Sequence, residues 1–270
     1  MTNTLAAVKA PIGAGTPGRV VQRLALVALV LVVWQLIAIW LDSNSVPTVA
    51  PVARAVVDVV PTDAFWSAVG STMYGWGIGM VISVVVAVPL GLLIGASERS
   101  MRMTRGVIEF MRTVPSIMLV PLLVLVLGST IRMKVVLIVL AAVWPLLVQA
   151  SYGIREVDRV ARETARAFHL PWIQRVRFLY LPSALPLIAT GLRVAATVAL
   201  LISVGGEIVT SAPGIGYEIS LGQANGDSAK SFVYILTSGM LGVAINLVFG
   251  TFERRTMFWH ASQRARGIRA

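Results

Sequence analysis

The sequence predicts an all-α integral membrane protein with six transmembrane helices and both termini in the cytoplasm. Of its 270 residues, 57% are hydrophobic and only 13% are charged, against roughly one quarter charged residues in an ordinary soluble domain. Six runs with almost no charge are each long enough to supply the ~20 helical residues that cross a bilayer. The basic residues gather in alternate loops, which is typical of the cytoplasmic side of membrane proteins.

The six predicted spans follow these apolar runs in order. Continuous apolar runs favour helices over the alternating strands of a membrane barrel. The spans form one transmembrane domain, 24–254, between an N-terminal tail, 1–23, and a basic C-terminal tail, 255–270. We place the spans at about 24–41, 69–96, 113–131, 135–154, 183–206 and 231–252.

The distribution of Lys and Arg predicts the orientation. With six spans both tails share one side with the loop 155–182, and that side holds 18 of the 23 basic residues. This side is therefore predicted to be cytoplasmic. Because the basic residues border membrane spans, the net charge of +11 does not indicate nucleic-acid binding. The opposite loops hold Arg54, Arg132, Lys134 and Lys230.

Several kinds of chemistry are excluded by the residues available. The chain has no Cys, so thiol catalysis and Cys metal sites are absent. His169 and His260 are far apart in sequence and predict no metal site. No phosphate-binding G-x-x-x-x-G-K-[ST] loop occurs, so any use of ATP has to come from a partner protein. An intramembrane enzyme would need a nucleophile with a base, or a metal set, and neither is recognisable.

The second span carries a small residue at every fourth position. Such a stripe lets another helix approach closely, and because four residues turn about 400° it drifts around the helix. We therefore expect tight packing against one crossing helix or two successive partners. The stripe comprises Ser67, Ser71, Gly75, Gly79, Ser83, Ala87, Gly91 and Gly95.

Prolines and isolated charges mark the later spans. Pro115 and Pro121 in the third span and Pro145 in the fourth predict kinked or broken helices, which often line the substrate path of transporters. Arg193 and Glu207 lie in or at the edge of the apolar zone, where charges are costly. Arg193 could neutralise an anionic substrate or pair with Glu207 or a carbonyl. The Gly-rich stretch after the fifth span is expected to dip into the membrane or to cap its outer mouth.

The cytoplasmic loop contains the stretch ETARAFHLPWIQRVRFLYLP, which predicts a helix, a turn and a second helix. Pro171 disfavours helical geometry at Leu170, so the first helix should end near His169. The second, Pro171 to about Tyr180, leads into the fifth span. This arrangement favours a docking element for a protein over a lipid-surface anchor. The first helix would place Arg155, Arg159, Arg162 and Arg166 on one face and Val157, Val160, Ala161, Thr164 and Phe168 on the other.

These residues resemble the cytoplasmic signature of permease subunits of ATP-binding cassette (ABC) importers. That signature reads E-A-A, three residues, G, nine residues, then I-x-L-P. Glu163-Thr164-Ala165, His169 and Leu179 to Pro182 match its spacing, with departures at Thr164, His169 and Leu179. MRTVPSIMLVPLLVLVLG, YGIREVDR and LPSALPLIATGLRVA also resemble the branch that imports nitrate, sulfonates and taurine.

The resemblance implies a type I importer fold in a prokaryotic inner membrane. It implies two ABC ATPase subunits that bind ATP and Mg, a second permease copy, identical or related, and an extracytoplasmic substrate-binding protein; this chain would bind no cofactor. ATP binding would drive alternating access for a small anion such as a sulfonate, nitrate or carboxylate. Pro115, Met118, Arg193 and Glu207 would line the translocation path. The ATPase-coupling residues would be Glu163, Thr164, Ala165, His169, Leu170, Pro171, Trp172, Leu181 and Pro182.

Two further expectations concern the class of transporter and the turn at His169. A secondary transporter or channel without an ATPase would also have six spans and kinked helices, but it would need repeats or coupling residues that are not evident. His169 occupies the position of a glycine that would end the first loop helix in the left-handed conformation. We expect His169 to adopt the same conformation, since His tolerates it better than most residues.

Overall fold

The computed structural model describes residues 16–41 and 45–256, and the described chain is helical without strands. Five helices are long and apolar enough to cross a membrane, and a bent pair makes a possible sixth span. Short 3₁₀ and π-helical turns occupy Ser116–Leu119 and Val176–Tyr180. The α-helices are α1 (Thr16–Leu41), α2 (Val49–Val59), α3 (Asp63–Gly95), α4 (Glu98–Thr113), α5 (Val120–Leu127), α6 (Ile131–Arg155), α7 (Arg159–Ala167), α8 (Trp172–Arg175), α9 (Leu181–Thr210), α10 (Ile215–Ala224) and α11 (Ser228–Thr256).

Five of the predicted spans correspond to α1, α3, α6, α9 and α11. The helices extend beyond most of the predicted limits, because helical geometry continues into polar flanks that an apolar run does not include. Pro145 lies inside α6 without interrupting it. The short helix α2 was not predicted. Residues 1–15 and 257–270, most of both predicted tails and with them His260, lie outside the described residues.

The predicted third span, 113–131, is not one helix. Val114 is extended, with φ −73° and ψ 115°, as expected for a residue that precedes proline. The chain bends here by 75° between α4 and the segment Ser116–Leu127. Pro121 lies in the first turn of α5, where its missing N–H is tolerated. Pro115 therefore breaks this region, whereas Pro121 starts a helix.

The small-residue stripe of α3 packs against α6 from Gly75 to Gly95. Gly75 faces Lys134, Gly79 faces Ile138 and Gly95 faces Ser151 and Ile154. The two helices run in the same direction, because residue numbers increase along both helices from one contact to the next. The expectation of tight packing is confirmed from Gly75 to Gly95, whereas at the start of the stripe Ser67 is exposed and the Ser71 hydroxyl donates to the Pro213 carbonyl.

Helix α9 packs against the other side of α6 in the opposite direction. Gly153 of α6 faces Ala184 near the start of α9, whereas Gly206 near its end faces Leu137. The ends of α3 and α6 and the start of α9 therefore lie together, next to the loop 155–182. Glu207 and the starts of α3 and α6 lie at the opposite end of the bundle.

Helices α1, α2 and α11 complete the fold around this core. Trp34 of α1 stacks on Phe232 of α11 with ring centroids 5.7 Å apart. The Gln35 side chain accepts the Val49 N–H at 3.0 Å, which satisfies a free donor at the start of α2. The end of α1 and the start of α11 therefore lie side by side.

Candidate functional site

The loop 155–182 forms the predicted helix, turn and helix, with one correction. Arg155 belongs to the last turn of α6 and Val157 to the turn that follows, so neither lies on α7, which begins only at Arg159. Asp158 starts α7, since its side chain accepts the Val160 N–H at 2.7 Å. The Arg162 guanidinium donates to the Val157 carbonyl at 3.2 Å. It therefore holds α7 against the turn that follows α6.

His169 ends α7 in the left-handed conformation, with φ 50°. The His169 N–H donates to the Arg166 carbonyl at 2.9 Å, and the Leu170 N–H donates to the Ala165 carbonyl at 3.1 Å. These two bonds are the pair that defines a Schellman C-cap, in which glycine is the usual residue. The expectation that His169 performs the turn of a glycine is confirmed.

Beyond this turn the chain enters a helix that continues into the membrane. Residues Trp172–Thr210 form one continuous helical element of 39 residues. Its π-helical turn, Val176–Tyr180, ends two residues before Pro182, whose missing N–H cannot support a regular α-helical bond. The predicted second loop helix and the fifth span are thus a single helix.

Most of the predicted coupling residues lie on the surface of this loop. Ala165 is buried and Leu181 and Pro182 are half-buried, whereas the other six predicted residues are exposed. Val160 and Phe168, predicted to share the apolar face of α7, are 70% and 76% exposed. A groove of about 700 Å³ lies between α7 and the following helix, lined among others by Val160, Ala161, Phe168 and Phe178. The loop therefore presents an apolar surface that nothing within the described chain covers.

The loop is anchored to the bundle by a small apolar cluster. Ile154, Val157 and Tyr180 are buried together, with Leu92 of α3 packed against them. The cluster joins the last turn of α6, the start of the loop and the entry to α9. The loop is therefore packed directly against these helices.

At the opposite end of the bundle, Glu207 forms a buried ion pair with Lys134. The Lys134 Nζ lies 2.6 Å from Glu207 Oε1, and the two side chains are 3% and 0% exposed. The prediction had placed Lys134 in an outer loop, which is wrong because α6 begins before it at Ile131. Gly75 in the small-residue stripe was a weak signal of this burial, because its missing side chain leaves space on α3 for the Lys134 side chain.

Further hydrogen bonds extend this ion pair into a network across three helices and a turn. Thr72 Oγ1 donates to the Glu207 carboxylate at 3.0 Å and accepts the Ile215 N–H at 2.9 Å. The Gly216 N–H donates to Glu207 Oε2 at 2.9 Å, and Lys134 Nζ donates to the Pro213 carbonyl at 2.8 Å. A Cβ on Gly214 would overlap the Glu207 carboxylate. The turn before α10 is therefore folded around this carboxylate.

The predicted partners of Arg193 are corrected by the structure. Arg193 pairs with Glu253 of α11 at 2.6 Å, not with Glu207. Its side chain is 39% exposed, so it is not the buried cation of the bundle; within the described chain that cation is Lys134. Pairing with Glu253 fixes α9 against α11 near the loop end.

The other two residues predicted for the translocation path lie at the break between α4 and α5. Pro115 is exposed and Met118 is 72% exposed. The neighbouring Ile117 approaches Gly205 of α9. The break at Pro115 and Met118 therefore lies near the part of α9 that precedes Glu207, and Arg193 lies nearer the start of α9. Within the described residues no group of His, Cys, Asp and Glu could hold a metal ion.

Residues 87–258 match the model of a protein family described as "Binding-protein-dependent transport system inner membrane component". The chain belongs to this family. It is an ABC transporter permease subunit of the inner membrane, a transport protein and not an enzyme. The matched region extends from the second half of α3 through the loop 155–182 to α11, so the family model includes the whole described loop.

The permease is similar to members of this family that are named for sulfonates and for nitrate. It is 27% identical over 243 residues to a Bacillus subtilis protein named as an aliphatic sulfonates transport permease, covering 89% of this chain and 88% of that one. It is 24% identical to the nitrate import permease protein NrtB of Synechocystis, covering 87% and 88% of the two chains. The predicted resemblance to the sulfonate and nitrate branch is confirmed.

Solved structures share its fold. A chain of the MetNI methionine ABC transporter in an inward-facing conformation superposes with a TM-score of 0.64 at 17% identity, covering 71% of this permease and 95% of that chain. An amino acid ABC transporter chain superposes with a TM-score of 0.59 at 18% identity, covering 74% and 97%. The predicted type I importer fold is confirmed.

Proposed function

We propose that this permease works with a second permease copy and two ABC ATPase subunits to import a small anion by ATP-driven alternating access. The observation that carries the proposal is the exposed loop 155–182, whose second helix continues without interruption into α9. An ATPase bound to the loop would move a membrane helix directly. A channel or secondary transporter has no use for such an element.

The ATPase would bind the surface formed by α7, the His169 turn and the start of the following helix. Val160, Phe168 and Ile173 are each at least 70% exposed, and such apolar exposure at a water-facing loop is typical of a protein-binding surface. Around it lie the proposed coupling residues, which are Glu163, Thr164, Ala165, His169, Leu170, Pro171, Trp172, Leu181 and Pro182. ATP and Mg would bind to the ATPase subunits.

The transported solute is proposed to be a sulfonate, nitrate or a related anion. Relatives named for aliphatic sulfonates and for nitrate support this class. An extracytoplasmic binding protein would deliver the anion and supply most of the selectivity. Because Arg193 and Lys134 are both paired with carboxylates, neither is a free cation for the anion in this conformation.

For the translocation path we propose that Pro115 and Met118 face the solute and that Arg193 and Glu207 act beside it. Met118 is exposed at a helix break, and broken helices often line such paths. Glu207 has almost no accessible surface, so it would fix the helices that border the path. Both termini and the loop 155–182 would lie in the cytoplasm, consistent with their basic residues.

Charge reversal at Glu163 tests the coupling surface. Its carboxylate is 60% exposed and pairs with Arg159 at 2.8 Å. We expect Glu163→Arg to lose the ATPase on co-purification and to lose ATP-driven uptake, because it reverses a charge in the proposed interface.

Glu109 provides a matched control. It is also 60% exposed and pairs with an arginine four residues away at 2.8 Å, but it lies in α4. Glu109→Arg should keep both the complex and the uptake. Retention of both by Glu163→Arg would refute the coupling role, and uptake that persists without any ATPase would favour a secondary transporter.

A further inference from the structure

Helix α4 runs along the bundle, although its 16 residues include four arginines and two glutamates. Glu98 at its start lies 3.9 Å from Arg155, the last residue of α6. Just beyond its end, Ile117 approaches Gly205 of α9 and packs against the apolar cluster that contains Leu137 of α6. Leu137 and Arg155 are about 27 Å apart along α6. Helix α4 is therefore antiparallel to the second half of α6 and extends from the loop end toward the opposite end of the bundle.

Helix α4 presents three different faces. Most of its charged residues follow one another at spacings of four, three, four and three, which places them on one face. Ile108 is only 7% exposed and packs into the apolar core, so another face rests on the bundle. Met103, Val107 and Phe110 form a third face, which is apolar and exposed. The first face, which we call the charged stripe, comprises Glu98, Arg102, Arg105, Glu109 and Arg112.

Arg112 is the deepest charge of this stripe. It lies about 21 Å from Glu98 along the helix, well inside an apolar layer that is about 30 Å thick in a typical bilayer. Its side chain is exposed, and it forms no ion pair within residues 16–41 and 45–256. A charge that faces lipid at this depth is strongly disfavoured. We therefore expect water, and not lipid, to reach Arg112.

A cleft beside the charged stripe lies between α4 and α9. Arg105 is close enough to the Tyr152 phenol of α6 for an electrostatic interaction, so the charged stripe borders the side of α6 that carries Tyr152. Gln149, one turn before Tyr152 on that side, approaches Gly191 of α9. Tyr152 is 49% exposed and Gln149 is half-buried. This open polar side of α6 forms the floor of the cleft, and α4 and α9 form its walls.

Arg112 is also available to an anion, unlike other cations of the bundle. Its guanidinium can donate paired hydrogen bonds to two oxygens of one anion. It precedes the helix break at Pro115 by one turn. Three other cations are already neutralised by carboxylates, namely Arg105 by Glu109, Arg193 by Glu253 and Lys134 by Glu207.

We propose that Arg112 binds the transported anion in a water-filled cleft between α4 and α9 that opens toward the loop 155–182. The inference rests on the proposed function for the class of solute, a sulfonate or nitrate. Glu109 only neutralises Arg105 and does not contact the solute. The apolar face of α4 faces lipid.

Because the sequence contains no Cys, single cysteines can test whether water reaches the charged stripe. The full permease in nanodiscs carries Arg112→Cys, or Val107→Cys on the apolar face as a control. A charged, membrane-impermeant methanethiosulfonate reagent should label position 112 and leave position 107 unlabelled. Val107 is 60% exposed and lies nearer the loop end, so depth alone would favour labelling of the control.

The charge of Arg112 is tested with a cysteine beside it, Thr113→Cys. The ratio of its reaction rates with a sulfonate-bearing and a trimethylammonium-bearing methanethiosulfonate reports the local potential. We expect Arg112→Gln to lower this ratio roughly fivefold, as Coulomb's law gives for a nearby unit charge in water, and Arg112→Lys to retain most of it. Arg99→Gln removes the same charge about 20 Å away. Because this distance exceeds the screening length of about 8 Å, the ratio should not change.

Anion binding is tested by protection of the same cysteine. Butanesulfonate or nitrate replaces the bulky anion gluconate at constant ionic strength. At least one of them should slow the reaction of Thr113→Cys with uncharged methyl methanethiosulfonate. Arg112→Gln should abolish this protection, and Arg99→Gln should retain it.

Four results would each overturn the proposal. They are no labelling at position 112, equal labelling at positions 112 and 107, a rate ratio that Arg112→Gln leaves unchanged or Arg99→Gln lowers equally, and no protection by either anion. A carboxylate of a second permease copy that covers Arg112 would produce the first result. None of these measurements requires an ATPase. Failure of the ATPase coupling, seen as retained complex and uptake in Glu163→Arg, would therefore leave them unchanged.

Discussion

His169 is a histidine in a conformation that glycine adopts at no steric cost. Its positive φ costs roughly 1 kcal/mol for a residue with a Cβ. We expect His169→Gly to stabilise the turn by about 0.5–1 kcal/mol, and His169→Val to destabilise it because a β-branched residue is less tolerant. Hydrogen exchange at the His169 and Leu170 amides measures the effect.

Ser211 supplies the control for this prediction. It also has a positive φ, 55°, but it lies at the opposite end of the bundle, after α9. Ser211→Gly should leave exchange at the two loop amides unchanged. Faster exchange in His169→Gly than in the parent would contradict the assignment of strain to His169.

Replacing one partner of the Lys134–Glu207 pair should lower the free energy of unfolding more than replacing both. Lys134→Met leaves the Glu207 carboxylate buried without its cation, which should cost about 3–5 kcal/mol. Adding Glu207→Gln removes that charge and should recover much of the loss. Thermal unfolding of the purified permease measures both. As a control, Arg105→Gln/Glu109→Gln removes an exposed pair and should lower the free energy of unfolding by under about 1 kcal/mol. A Lys134→Met/Glu207→Gln variant that is less stable than either single variant would contradict this account.

At the scale of elements, the α3–α6 interface depends on glycines that have no room for a methyl group. A Cβ on Gly95 would overlap the Ser151 carbonyl, whereas one on Gly77 meets nothing within 4 Å. Gly95→Ala should therefore destabilise the permease by about 1–3 kcal/mol. Gly77→Ala should be neutral or slightly stabilising, because alanine favours helix. Similar unfolding temperatures for the two variants would show that this contact does not require glycine.

The sequence predicted elements better than contacts between them. The lengths of the apolar runs were sufficient to predict the helices α1, α3, α6, α9 and α11. The proline at position 115 correctly predicted a break in the third span. Lys134 could not be assigned correctly, because its burial depends on Glu207 and Pro213, which are distant in sequence. For Arg193 the sequence left open a substrate anion, Glu207 or a carbonyl, and its actual partner, Glu253, is likewise distant in sequence. The turn at His169 was predictable because its cause is local.

At the scale of the molecule, a rigid connection between the loop and α9 should be needed for coupling. Inserting Gly-Gly between Arg175 and Val176 would make this connection flexible. We expect the variant to keep ATPase binding and ATP hydrolysis but to lose uptake. Inserting Gly-Gly after Gly128, in the turn between α5 and α6, should preserve uptake. Normal uptake with the first insertion would exclude a mechanical role for the continuous helix.

The continuous helix Trp172–Thr210 also has a geometric consequence. At 1.5 Å per residue, the 35 residues from Trp172 to Glu207 span about 52 Å. A tilt of about 5° at the loop end therefore displaces the Glu207 turn by about 4–5 Å. Because Glu207 is bonded to Lys134, Thr72 and Gly216, α3, α6 and α10 would share this displacement. If an ATPase binds the loop as proposed, a small rotation of the loop end would therefore become a displacement of several ångströms at the opposite end of the bundle.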